Sequence, residues 1–343
     1  MLRNLQQLSR PQRQLVFALV FGGILMAIVG LTVLLIASSL NSARQEAVSL
    51  AEGVSVRPLA ALPDDDAYPS SVAAFADGVY TGSYASGAVW QISAGGNVTE
   101  LAGTRDAIGA VSGLAAAPDG TLYVVDQLDT DTRSGGGDVK RILPDGRIEV
   151  FADLTAEGGF ITPDDVTLDA GGRVYVSDRG RNEVWRFEPD GTGAALFWSP
   201  PAEGSAAQSA VTGLAYDAPA DAIIVTEPER NTIYRVPVGG GEAEILYQHP
   251  ADGEFPPGFD GATVTPDGLL YVAALGQNGI VRVENGTLTY IAGQFRGSSD
   301  VDTADGARLY VANWDQSALA LPMVQPRLPF AIDVVEVAAL SEE

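Results

Sequence analysis

Residues 161–187 read ITPDDVTLDAGGRVYVSDRGRNEVWRF. The stretch opens on a β-rich run, turns at Gly171-Gly172, and continues into RVYVSD. An acidic-tipped connection then leads to EVWRF. Alternating apolar and polar residues between Gly-containing turns describe short antiparallel strands. The pattern recurs six times from about residue 68 to the C-terminus, and recurrence at such a period means stacked or radially arranged units.

The recurrences can be aligned on Val72, Leu114, Val166, Leu214, Ala262 and Val301, with spacings of 42, 52, 48, 48 and 39 residues. Each unit offers about four β-rich runs, and PDG at Pro118, Pro144, Pro189 and Pro266 supplies tight turns. Four-stranded units arranged in a ring make a β-propeller, and six units make six blades. Closing the ring removes the free sheet edges that invite aggregation. In the sixth unit, SALAL (317–321) is expected to be the third strand. Two runs, 54–59 and AIDVVEV (331–337), compete for the outer edge of that blade. The fold class is therefore all-β, a six-bladed β-propeller over 63–343 preceded by one N-terminal transmembrane helix.

The N-terminal region has a different composition. No charged residue occurs between Gln14 and Ala43, and Leu15 to Ile36 is almost continuously apolar. About 20 such residues span a bilayer. A cleaved signal peptide is the rival reading, but its apolar region is usually roughly 7–15 residues long. The length favours an uncleaved anchor at 15–37, after a cytoplasmic segment 1–14 and before a stalk at 38–62. Arg3, Arg10 and Arg13 precede the anchor. Basic residues tend to remain in the cytoplasm, which places the propeller on the extracytoplasmic side of a single-pass protein.

Charge and scarce residues exclude several functions. The chain carries a formal charge of −24, and residues 1–45 hold four Arg and no acid. So acidic a body is repelled by nucleic acid. There is no Cys, one His (His249) and one Lys (Lys140), which rules out thiol chemistry, His dyads and His-clustered metal sites.

In a propeller, the loops entering the innermost strands and those leaving the second strands share one face, and such loops carry function. They supply Asp164, Asp165, Asp260 and Asp300 from the first set. Tyr84, Asp126, Asp178-Arg179, Glu227 and Trp314 come from the second. Carboxylates converging on a channel repel one another, and a hard cation would relieve the repulsion. Asp178 with Asn182, and Glu227 with Asn231, flank turns whose backbone they can hydrogen-bond, a structural role. The loop 126–138 carries Asp129 and Asp131 without a complete EF-hand pattern and reads as a solvated loop. His249 could act as a base but reads first as a surface residue. Trp90, Trp185 and Tyr234 fall at matching third-strand positions and read as packing between blades.

The stretches PDDVTLDAGGRVYVSD, TGLAYDAPADAIIVTEPERNTIYRV and FDGATVTPDGLLYVAALGQNGIVRV resemble the SMP-30/gluconolactonase/strictosidine synthase-like superfamily, with NHL-type propellers as close relatives. The resemblance covers about 68–337. It implies a divalent cation, often Ca²⁺, held in the central channel by a Glu, an Asn and an Asp. Asp260 matches the Asp. The Asn position holds Thr212, and Ser70 stands where the Glu is expected. Asp164 and Asp300 are the candidates to complete a metal set with Asp260. Asp164-Asp165 resembles an Asn-Asp pair that contacts substrate.

Two functions follow. One is a membrane-anchored ligand-binding or protein-assembly module with a degraded metal site. Its partners would be the membrane, other membrane or envelope proteins and a small molecule in the channel, with a sensor or adhesion role as a variant. The other is a divalent-metal-dependent lactonase or esterase. There the metal on Asp260 would polarise a carbonyl, and Asp165 or Asp260 would handle the proton.

Overall fold

The structure is a computed structural model that describes residues 9–40, 46–130, 135–201, 210–320 and 324–338. Helix α1 (Arg10–Leu40) contains the apolar run, and over Arg10–Ile36 it is long and apolar enough to cross a membrane. Its mean hydropathy there is 2.8, and none of that window is buried in the protein.

The remaining strands form six sheets. Blade 1 is β3 (Pro69–Phe75), β4 (Gly78–Ser83), β5 (Val89–Ser93) and β6 (Val98–Glu100). Blade 2 runs β7 (Val111–Ala116), β8 (Leu122–Asp126), β9 (Asp138–Ile142) and β10 (Ile148–Ala152). The opening stretch supplies most of blade 3, β11 (Pro163–Leu168), β12 (Val174–Asp178) and β13 (Glu183–Phe187), completed by β14 (Ala195–Trp198). Blade 4 is β15 (Leu214–Asp217), β16 (Ala222–Glu227), β17 (Thr232–Pro237) and β18 (Glu244–Gln248). Blade 5 is β19 (Phe259–Val264), β20 (Leu270–Ala274), β21 (Gly279–Glu284) and β22 (Thr287–Gly293). Pairing within each blade is antiparallel. In blade 3, for instance, Val176 faces Trp185 across β12 and β13.

The sixth blade corrects the expectation. Its first two strands are β23 (Ser298–Asp302) and β24 (Arg308–Asn313). SALAL does not follow as a third strand. Gln316–Ala320 is a short helix, and Leu321 lies outside the described residues. The segment lacks β-branched residues and consists largely of good helix formers. β25 (Ala331–Val337) takes the third place, and β2 (Val54–Ala61) takes the outer edge. The two competing runs thus occupy adjacent positions, and strands from both ends of the chain close the ring.

The stalk reading of 38–62 is corrected as well. β1 (Val48–Ser49) adds a fifth strand to blade 5 by pairing with Ala292 and Gly293, and β2 belongs to blade 6. Val54 and Val56 lie on one side of β2 and pack on a cluster containing Leu309, Val335 and Val337. Burying this apolar edge is more favourable than leaving it as an exposed linker.

Apolar clusters sit between successive blades. Phe151, Val166 and Phe187 join blades 2 and 3, and Tyr175, Val211 and Val225 join blades 3 and 4. Full burial of such a side chain contributes about 1.5–3 kcal/mol. Trp90, Trp185 and Tyr234 are all buried, as packing residues should be.

Candidate functional site

The six aligned positions meet. Val72, Leu114, Val166, Leu214, Ala262 and Val301, one per inner strand, line a single central cavity of about 330 Å³. Asp165 and Asp300, within β11 and β23, line it too, whereas Asp164 and Asp260 are not among its lining residues.

Side chains knit the blades together around this channel. Ser70 Oγ donates to the Val111 carbonyl (2.6 Å), joining blades 1 and 2. Gln127 Nε2 donates to the Pro163 carbonyl (2.8 Å), joining blades 2 and 3. Ser177 Oγ reaches the Thr212 carbonyl (2.5 Å), and Thr226 Oγ1 the Asp260 carbonyl (2.8 Å). Thr263 Oγ1 donates to Asp302 Oδ1 (2.8 Å) between blades 5 and 6. Ser299 Oγ donates to the Ser70 carbonyl (2.7 Å) and returns to blade 1.

Two of the acids belong to this knitting. Asp165 Oδ2 accepts the Leu214 N–H of the next blade (2.7 Å), and Oδ1 accepts the Val166 N–H (2.8 Å). Asp300 Oδ2 accepts Ser71 Oγ–H (2.7 Å) and the Val72 N–H (2.9 Å), while Oδ1 accepts the Val301 N–H (2.8 Å). Inner-strand amides that would otherwise be buried unpaired are thereby satisfied.

Of the acids that end the second strands, Asp178 and Asp126 hold turn backbone, whereas Glu227 and its partner Asn231 bond groups outside their own turn. Asp178 is fully buried and accepts N–H groups from Ile161, Thr162, Gly180 and Arg181. Asn182 takes the left-handed conformation (φ 56°) that this turn needs. Asp126 accepts the Gly109, Ala110 and Leu128 amides and pairs with Lys140 at 2.6 Å. Glu227 accepts Tyr234 Oη–H (2.8 Å), and Asn231 Oδ1 accepts the Gly258 N–H (2.6 Å). In the loop 126–138, Asp131 lies outside the described residues. His249 stands apart from the channel, with Nδ1 3.2 Å from Tyr247 Oη.

Asp164 and Asp260 remain, with Arg179. Among the described residues, no hydrogen bond or ion pair engages these three side chains, yet their charges act on one another. Burial raises the Asp164 pKa to about 6, opposed by Arg179 and reinforced by Glu229 and Asp178. Burial also lifts Asp260, helped by Asp164 and Asp300 and opposed by Arg179. Asp300 rises to about 7, chiefly by burial, against the pull of its bonds from Val72 and Ser71. Burial and the Asp300 charge raise Asp165. In return Asp164, then Asp260 and Glu229, hold Arg179 more firmly charged against its own burial.

An aromatic pair stands beside these charges, which mark one mouth of the channel. The rings of Tyr84 and Trp314 meet edge-on at 5.2 Å between centroids. Tyr84 Oη donates to Gln127 Oε1 (2.9 Å), and burial with the nearby Asp164 charge pushes its pKa up to about 12. Trp314 Nε1 is buried with no hydrogen-bond partner among the described residues. Sequence reasoning placed Tyr84, Arg179 and Trp314 on this face without giving them a role, and it missed Gln127 and Glu229. Their signal was position alone, at or just after a second strand.

The residues do not fit Ca²⁺. That ion takes roughly six to eight oxygens. Asp300 and Asp165 have both carboxylate oxygens committed to hydrogen bonds, and Arg179 brings positive charge to the two acids that remain. Among the described residues, no group of three or more acids or His is arranged to hold a metal ion.

Residues 160–187, essentially the opening stretch, match the NHL repeat family. No curated protein sequence matches the chain closely enough to rank as a relative. Solved structures with a similar fold include a gluconolactonase from Xanthomonas campestris (TM-score 0.59, 16% identity, covering 87% of this chain and 99% of that one). The PQQ-bound aldose sugar dehydrogenase from Streptomyces coelicolor is another (TM-score 0.60, 16% identity, 83% and 98%). Virginiamycin B lyase from Staphylococcus aureus is a third (TM-score 0.53, 18% identity, 76% and 83%). The chain is a six-bladed β-propeller with an NHL repeat in its third blade, and it shares its fold with gluconolactonase and streptogramin-lyase propellers.

Proposed function

We propose that this protein is a membrane-anchored, extracytoplasmic propeller that binds a small polyhydroxylated ligand, such as a sugar or sugar lactone, at the channel mouth. One observation carries the reading. Most polar groups around the channel are committed to holding blades or turns together, whereas the side chains of Asp164, Asp260 and Arg179 have no hydrogen bond or ion pair among the described residues. Beside them stands an aromatic pair with an unpartnered indole N–H. Carboxylates, a guanidinium and an aromatic face suit hydroxyl groups set around an apolar ring. Two of the fold neighbours are named for acting on sugars or their lactones. The helix at Arg10–Ile36 supplies the anchor, and the N-terminal Arg residues set its orientation. The acidity of the body argues against nucleic acid as a partner.

The test is calorimetric titration of the full chain, in a non-ionic detergent, with glucose and glucono-δ-lactone. Saturable binding that is weakened in Asp260→Asn and Trp314→Ala supports the proposal. No heat with either probe overturns it.

A lactone hydrolase is the second reading, favoured by Asp164, whose pKa of about 6 lets it exchange a proton near neutrality. Asp165 does not serve as its base, because both its oxygens accept N–H groups. Turnover of the lactone above its spontaneous rate, lost in Asp164→Asn, would select this reading.

A further inference from the structure

Away from the channel, between the outer strands of blades 4 and 5, lies a cavity of about 390 Å³. This is within the roughly 300–1,000 Å³ typical of small-molecule sites. Tyr247, Phe255 and Tyr290 line it, with His249, Glu254 and Gln277. The lining residues include one carboxylate and no Lys or Arg.

The wall is held rather than loose. Asn231 Oδ1 accepts the Gly258 N–H (2.6 Å), the Gly276 N–H donates to the Pro257 carbonyl (2.9 Å), and Gln277 Nε2 donates to the Pro256 carbonyl (3.1 Å). These bonds fix the loop that carries Phe255. Phe255 is 72% exposed and sits at φ 56°, a conformation that costs an aromatic residue energy and persists only when the surroundings impose it. An exposed ring held in a strained pose gains nothing for the core. On the opposite wall, Tyr290 lies so close over Gly279 that a Cβ there would collide with the ring, which fixes its position. His249 Nε2 is buried without a partner among the described residues.

We propose that this cavity binds an organic ammonium cation, such as a trimethylammonium group. The faces of Tyr247, Phe255 and Tyr290 would receive the cation, with Glu254 as counter-charge. Aromatic faces attract a cation through their quadrupole, and the attraction grows as water is excluded. The acidic body of the chain raises the local concentration of cations at the mouth.

The probes are choline and its uncharged carbon isostere, 3,3-dimethylbutanol, titrated into the full chain in polyoxyethylene-ether micelles and followed by tyrosine fluorescence and calorimetry. Choline should bind at millimolar concentration or below, about tenfold or more tighter than the isostere, a difference within reach of such contacts. Phe255→Ala and Glu254→Gln should each weaken choline about five- to tenfold while the melting temperature is unchanged. Glucose or lactone binding at the channel mouth should be unaffected by either variant. Phosphatidylcholine bicelles added to the same titration separate the sources. Displacement of choline identifies a lipid-borne headgroup and no displacement a free cation, and both keep the cation assignment. Equal binding of the isostere, no binding of choline, or full binding in both folded variants overturns it.

Discussion

Asp165 and Asp300 stand at the same position of inner strands three blades apart, and each turns its carboxylate onto the inner strand of the following blade. Asp165 reaches the Leu214 N–H at 2.7 Å and Asp300 the Val72 N–H at 2.9 Å. At the matching position of blades 2, 4 and 5 the residue is glycine, at 113, 213 and 261. A Cβ at Gly113 would press on Asp165, and one at Gly261 on Asp300. Asp165 and Asp300 fill space that Gly113 and Gly261 leave, so a carboxylate bridge follows a glycine junction at blades 3 and 6.

Removing one bridge leaves a buried amide unpaired. Asp165→Ala should destabilise the propeller by about 1–3 kcal/mol. Asp165→Asn keeps one acceptor, enough for the Leu214 N–H, and loses the one that the Val166 N–H uses, so it should cost less than Asp165→Ala. Urea unfolding of both variants checks the order, and equal losses would contradict the bridge.

Glycine at a close junction is required by space. Gly213→Ala places a methyl against the backbone of Asp260 and Gly261, which cannot retreat as a flexible side chain could. Overpacking of this kind costs about 1–3 kcal/mol. Thermal melting should show the loss, while Gly239→Ala, where nothing lies within 4 Å, should not.

Stability should fall as pH rises from about 4 to 7. Asp164 (about 6) and Asp300 (about 7) have folded pKa values above the usual value near 3.9, and Asp165 and Asp260 are raised too. The folded state therefore binds more protons than the unfolded state across that window, and their contribution is lost as pH passes the folded values. Unfolding free energies measured at pH 5 and pH 7.5 should be ordered accordingly, with a smaller difference in Asp164→Asn/Asp260→Asn. A stability that climbs through the window would refute the assignment.

Arg179 should govern the mouth. Replacing it with Met removes the positive charge that opposes the rise of Asp164 and Asp260. The Asp164 titration, followed by carboxyl infrared absorption or NMR, should move upward, and binding at the mouth should weaken. An unmoved titration would show that the guanidinium does not act there.

The N-terminal strands should be needed for closure. A chain beginning at Leu62 lacks β2 and exposes the edge of β25. It also loses the partly buried Val54 and Val56 from the cluster around Val335, each worth less than the roughly 1.5–3 kcal/mol of a fully buried side chain. Aggregation or a lowered melting temperature is expected, measured by light scattering and calorimetry.

The sequence by itself determined the architecture. Alternation within strands, PDG turns and six recurrences leave a ring of six sheets as the way to bury every inner face, and the uncharged run at 14–43 stands out by composition alone. It also assigned Asp178 to a structural role, because turn chemistry acts over a few residues and is written locally. Only the tertiary structure decided which acids are free. Asp165 and Asp164 are neighbours in sequence, yet one side chain bonds a strand 49 residues away and the other has no hydrogen bond or ion pair among the described residues. Likewise, pairing across 279 residues, from Arg57 to Glu336, brought the supposed stalk into the last blade. Contacts between distant segments depend on how the ring closes, and no local pattern of residue types records that.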